Sequence, residues 1–205
     1  VPRRNRVTPT GELIAVPERG LVHGNRGCLH DDEGHIRRAF AVRRWIACRL
    51  EFRGWRRSPL MQPGRYTELF FLDDATALAA GHRPCALCRR EDYRVFLDRW
   101  RGPHPTDAGA DALDARLHVE RLDGRGRRLY TATIDDLPDG VMILRSGEPF
   151  LVRGDRLWRW TPGGYTDPVQ RTSGTADVLT PASTVEVLHG GWEPVVPFIH
   201  PSAAP

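Results

Sequence analysis

Lysine is absent from this chain of 205 residues; all 30 of its basic residues are arginine. With abundant Ala, Gly and Pro, that bias is what a GC-rich coding sequence produces, so no arginine can be read as a phosphate ligand on identity alone. No stretch approaches the roughly 20 apolar residues that a membrane helix needs. The basic start Val1-Pro2-Arg3-Arg4-Asn5-Arg6 is not followed by an apolar run. A secretory signal is therefore unsupported, and the cytoplasm is the expected compartment. Cysteine is scarce: Cys28, Cys48, Cys85 and Cys88 all lie in the first half. Without secretion signals, a disulfide framework is not expected in a chain of this size. Internal repeats, a nucleotide-binding glycine loop and a Ser-His-Asp order are missing too.

What is present is an ordinary globular composition, 27% charged and 40% hydrophobic, long enough for one ample domain or two small ones. Charge is unevenly spread. Residues 1–101 carry 20 Arg against 12 acids, a formal +8, and residues 102–205 carry 10 Arg against 14 acids, a formal −4. A basic half points to a polyanionic partner, because neutralising phosphates releases counterions; a solvated basic face is the plainer explanation. The Gly- and Pro-rich stretch at residues 102–110 lies where the sign changes and is the predicted linker. The expected architecture is α+β: a zinc-stabilised N-terminal half (1–101) with short strands and two helices, then a mostly antiparallel β half (111–205).

Local signals fill in that outline. An Asp at the start and Gly81 at the end frame a short helix over 73–81. Helical spacing of Leu87, Tyr93, Phe96, Leu97 and Trp100 predicts a second helix over 86–100 with one buried stripe. Strands are expected at 44–52 and 66–71. Beyond the linker, a helix over 111–122 precedes β-type runs at 129–134, 141–144, 149–152 and 157–160, separated by Gly-containing turn pairs. Thr180-Pro181 opens a last helix that Gly190-Gly191 closes.

Cys85-Ala86-Leu87-Cys88 enters the second helix from a turn. That spacing puts two thiolates on one side, where a zinc ion takes sulfur at about 2.3 Å and nearby N–H groups stabilise the charge. Arg83, Arg89 and Arg90 further favour thiolate. A redox pair would follow a strand in a βαβ setting, whereas a helix and a glycine turn precede this one.

The run Leu78-Ala79-Ala80-Gly81-His82-Arg83-Pro84-Cys85-Ala86-Leu87-Cys88 resembles the second half of the Ada-type zinc domain, which recognises and repairs methylphosphotriesters in DNA. That family passes from a strand through a short alanine-rich helix into Gly-x-Arg-Pro-Cys-x-x-Cys. Residues 66–93, roughly an eighth of the chain, follow that order. The resemblance implies a zinc ion and a DNA partner. Its first ligand pair, Cys-x-x-x-Cys, includes the methyl acceptor. Here only Cys48 stands in the matching region, which favours a closed structural site over methyl acceptance. Cys28 is the expected fourth ligand, with His30, His23 and His35 as alternatives.

A second cluster spans 23–35, with three His and three carboxylates among glycines. His30, Asp31, Asp32 and His35 are the catalytic candidates: a His–Asp pair orients a general base, and carboxylates hold a divalent ion for phosphodiester hydrolysis. Asp31-Asp32-Glu33-Gly34 also reads as a plain hairpin turn. Asn25 and Arg26 are expected at a phosphate. Arg53, Trp55, Arg56 and Arg57 interleave an indole with guanidiniums, as single-stranded nucleic acid requires, and Arg83 joins them beside the cysteine pair. Trp45 and Trp100 fit the core better. The expectation is a zinc-stabilised, DNA-interacting protein of repair or processing. Its alternative is a non-catalytic zinc-folded module that docks a protein partner through the C-terminal half.

Overall fold

Short β-prone runs broken by Gly and Pro give a first sheet of short strands. The structure, a computed structural model, describes residues 1–54, 58–106, 109–124 and 126–204. Strands β1 (Arg4–Val7), β2 (Leu13–Ala15), β3 (Val22–Asn25), β4 (Ile46–Cys48) and β5 (Leu69–Phe71) lead to helix α1 (Asp74–Ala79) and the two-residue strand β6 (Arg83–Pro84). The sheet order is β2-β1-β5-β3-β4-β6. Pairing is parallel for β1 with β5 and for β4 with β6, and antiparallel elsewhere. The predicted strands at 44–52 and 66–71 shrink to β4 and β5.

Both ends of α1 form as their residues dictate. The Asp73 carboxylate accepts from the Thr76 N–H at 2.9 Å and from its hydroxyl at 2.8 Å, and Gly81 takes the left-handed conformation at φ +81°. The second helix, α2 (Arg90–Arg101), begins later than periodicity suggested. Residues 85–89 form a turn closed by the Arg89 N–H on the Cys85 carbonyl at 3.0 Å. That turn directs the sulfurs inward and the residues between them outward. Leu87, expected in the buried stripe, is therefore 71% exposed, while Phe96 and Trp100 are fully buried.

Helix α3 (Ala110–Arg121) runs into a small hairpin of β7 (Leu122–Asp123) and β8 (Gly126–Arg127). Then come β9 (Tyr130–Thr133), β10 (Met142–Arg145), β11 (Glu148–Arg153), β12 (Arg156–Thr161), β13 (Gly164–Gln170), β14 (Thr175–Val178) and α4 (Ala182–His189). The second sheet, ordered β13-β12-β11-β10-β14-β9, is antiparallel throughout. The mixed α+β architecture follows the sequence. None of the described helices is long and apolar enough to cross a membrane.

The apolar interior does not stop at the predicted linker. One core joins Leu72, Phe96 and Trp100 to Leu117, Ile143, Leu151 and Val187 across residues 102–110. A smaller core lies under the first sheet, around Val7, Leu29, Leu69 and Phe71. Helix α1 and the residue that caps it serve both, with Leu78 and Ala79 in the larger core and Ala77 and the C-cap Ala80 in the smaller. The reversal of charge between the halves is thus a property of the surface, while the packing is shared.

Candidate metal centre and its cationic surroundings

Parallel pairing of β4 with β6 sets Ile46 beside Arg83 and Ala47 beside Pro84, and the Cys85 N–H donates to the Ala47 carbonyl at 2.9 Å. The next residue on each strand is a cysteine, so Cys48 and Cys85 emerge at the same end. The 85–89 turn then returns Cys88. The three sulfurs lie within 4.8 Å of one another and can hold a metal ion. Tetrahedral sulfur ligands on a zinc-sized ion stand about 3.8 Å apart, given bonds near 2.3 Å, and this donor set fits.

The environment prepares the thiols for metal. Contacts with the Cys48 and Cys88 thiols, and then the Leu87 and Cys88 N–H groups, favour the thiolate at Cys85. The Arg49 N–H points at Cys88. Cys48, hydrogen-bonded to both other sulfurs and buried, is pushed far up in the absence of a cation. A divalent ion held by these sulfurs would displace the thiol protons that remain.

Cys28 is not in this group. It lies in the loop after β3, where its thiol faces the His30 carbonyl at 3.6 Å. Four residues beyond Cys48 stands Phe52, which with Ile46 packs against the three cysteines. Among the described residues no further His, Cys, Asp or Glu joins the cluster, so neither His23, His30 nor His35 supplies that ligand. Among the described residues the site therefore offers three protein sulfurs to a metal ion.

The second cluster separates on folding. His30 is buried, with its Nδ1 2.5 Å from the Thr67 hydroxyl and its Nε2 3.2 Å from the Gln62 carbonyl. A carbonyl can only accept, so Nε2 carries the proton and Nδ1 accepts from Thr67, whose oxygen in turn accepts from the Leu29 N–H at 2.8 Å. Both ring nitrogens thus join two loops, and His30 forms no pair with Asp31 of the kind expected to orient a general base. Asp31 closes the predicted turn instead: its carboxylate accepts from the His35 N–H at 2.8 Å and pairs with Arg37 at 2.5 Å. Asp31, Glu33 and His35 do come within 4.8 Å of one another, on the exposed tip, and Asp32 stands outside the group.

The nucleic-acid candidates divide in the same way. Arg83 is buried in a bidentate pair with Asp114, at 3.0 and 2.8 Å, and so is committed inside the protein. Arg26 is 2% exposed; its guanidinium donates to His82 Nε2 at 3.3 Å and to the carbonyls of Gly11 (2.9 Å) and Ala39 (3.3 Å), and lies 4.3 Å from the centre of the Trp45 ring. Asn25 lines a pocket of about 670 Å³ with Arg43 and Arg44. Arg53 stays exposed, 5.0 Å from the centre of the Phe52 ring. Trp55, Arg56 and Arg57 lie outside the described residues. Two further arginines that no sequence signal marked, Arg121 and Arg127, stand close enough to His82 and Arg26 to repel a proton there.

Comparisons with family models, curated proteins and solved structures found no match for this chain. The local likeness over residues 66–93 therefore rests on those residues and on the cysteine geometry alone.

Two measurements check this arrangement. Cys48→Ser, Cys85→Ser and Cys88→Ser should each lose most of the bound metal and lower the unfolding midpoint, whereas Cys28→Ser should keep full metal content by elemental analysis. Loss of metal in the Cys28 variant would contradict the three-cysteine site. The second concerns His82, which burial and then Arg26 and Arg121 hold well below its ordinary value of 6.5. The unfolded chain binds a proton there that the folded chain refuses, so this contribution to stability is present above 6.5 and is lost as pH falls. Denaturant titrations from about pH 7.5 to about pH 5.5 should show stability falling, and less steeply in His82→Gln. An equal slope in the variant would remove His82 as the cause.

Proposed function

We propose that this is a zinc-stabilised DNA-interacting protein that acts in DNA repair or processing, with zinc held by Cys48, Cys85 and Cys88. The observation that carries the reading is the position of the sulfur cluster at a cationic edge of the first sheet. Arg49 follows Cys48 and Arg90 follows the turn through Cys88; both are exposed, and neither is ion-paired among the described residues. Arg53 stands nearby over Phe52. Between these arginines the apolar side chains of Leu50 and Leu87 face solvent. A groove lined by Arg3, Arg6, Arg19, Leu50 and Phe70 continues from that edge. Exposed guanidiniums around a rigid metal-pinned turn suit phosphate contacts, and apolar side chains among them suit base or sugar.

Zinc is the ion we assign, because soft thiolate ligands with N–H groups directed at sulfur select it over calcium or magnesium. It would fix the turn from which α2 and the neighbouring arginines project, and so contributes folding free energy. Since the His30 ring is engaged internally, the proposal is one of recognition at this edge, with any bond-breaking step belonging elsewhere.

The test is fluorescence anisotropy of labelled single- and double-stranded DNA across a salt series. We expect affinity to fall linearly on a logarithmic salt scale, and Arg49→Ala and Arg90→Ala each to weaken binding and reduce the slope by about one. No binding at low salt would end the DNA reading in favour of a zinc-folded protein-interaction module.

A further inference from the structure

Behind the first sheet, at the end of α3, lies a cavity of about 670 Å³ whose charged lining is six arginines and one carboxylate, Glu12. Of these arginines Arg26 and Arg121 are buried and Arg127 is half-buried. Arg121 has no exposed surface; its guanidinium lies 3.8 Å from the centre of the Trp45 ring that Arg26 also contacts. Among the described residues, none of the three is ion-paired to a carboxylate. Arg121 donates to the carbonyls of Gly81 (2.8 Å) and Arg43 (2.6 Å), and Arg127 to those of Ala79 and Leu179. The acid that favours the Arg121 cation, Asp114, is already taken by Arg83. Buried Nε groups of Arg121 and Arg127 have no hydrogen-bond partner at all.

Two buried guanidiniums and a half-buried third, none ion-paired to a carboxylate among the described residues, are costly, and native interiors rarely leave such groups uncompensated. Loss of solvent pulls Arg26 and Arg121 down to about 9 and Arg127 to about 10, so all three stay cationic at neutral pH. His82, neutral among them, cannot supply negative charge. The arrangement is also built into the backbone: a Cβ on Gly81 would come 2.6 Å from Arg121 Cδ, so the glycine that stops α1 also admits Arg121.

We propose that this cavity binds a phosphate monoester, with its head between Arg26, Arg121 and Arg127 and the rest of the ligand held by the exposed Arg4 and Arg38. A phosphomonoester brings nearly two negative charges and three acceptor oxygens, which a carboxylate does not. The volume suits a mononucleotide-sized ligand. Such a group arrives either on a free nucleotide or at the 5′ end of a DNA strand. The inference stands without the DNA-binding edge, which lies on different residues.

Calorimetric titration of the full, metal-loaded chain tests it, with inorganic phosphate, deoxyadenosine 5′-monophosphate, and oligonucleotides bearing a 5′-phosphate or a 5′-hydroxyl. Saturable phosphate binding is expected, weakened at least about tenfold in Arg127→Met, which loses charged hydrogen bonds. Arg38→Ala, an exposed position that does not threaten the fold, should weaken it about two- to fivefold. Preference for the 5′-phosphorylated strand would assign the ligand to strand ends; indifference to it, with tight mononucleotide binding, would assign it to free nucleotides. The proposal is overturned if sodium chloride at equal ionic strength reproduces the heat, or if both variants bind phosphate as the parent does. DNA affinity that survives Arg127→Met while phosphate binding is lost would show the two sites to be separate.

Discussion

A helix of six residues with no exposed side chain has to find every polar partner inside the protein, and α1 arranges the molecule around that requirement. Asp73 accepts from Thr76, from the Tyr165 hydroxyl at 2.8 Å and from the His200 N–H at 3.1 Å. Asp74 takes Arg89 bidentately and the Phe198 N–H at 3.2 Å. The Trp160 indole donates to Thr76 at 3.1 Å, and Arg127 caps the far end at the Ala79 carbonyl. Second-sheet strands, the C-terminal segment, the start of α2 and the β7–β8 hairpin all meet on this one helix. Removing any of these partners would leave a buried charge or carbonyl exposed to apolar surroundings, which costs more than the bond itself contributes.

The segment after α1 extends the same wiring. Gly81 makes room for Arg121, His82 accepts from Arg26, Arg83 closes on Asp114, and Pro84 delivers Cys85 to its place beside Cys48. Each residue of that run thus has a job within the fold. The cysteine cluster and the arginine cavity are thus both held by residues of the short run from Gly81 to Cys85.

How far the sequence could be read follows from how local each signal is. The Asp73 cap, the Gly81 stop, Phe96 and Trp100 on one face, and the antiparallel meander all depend on neighbours in the chain, and they form as expected. The β4–β6 register does not: it decides that Cys48 joins Cys85 and Cys88 while Cys28 stays with His30. Nothing in the spacing of four cysteines encodes that choice. Burial is the other hidden variable. Arg83 and Arg26 looked like surface phosphate ligands because an arginine beside a glycine or cysteine reads the same whether solvated or enclosed. Arg121 and Arg127 gave no signal, since they reach the Arg26 side of the molecule from a helix end and a hairpin about a hundred residues along. Leu87 differs for the opposite reason: its helical period continues by chance into the turn that carries Cys85 and Cys88.

The central claim is a metal centre with three protein sulfurs, Phe52 against it and an exposed cationic edge beside it. X-ray absorption at the zinc edge of the purified protein reads that centre directly. The account predicts three sulfur neighbours at about 2.3 Å and one lighter donor at about 2.0 Å. A shell of four sulfurs, or of nitrogen and oxygen alone, would contradict it.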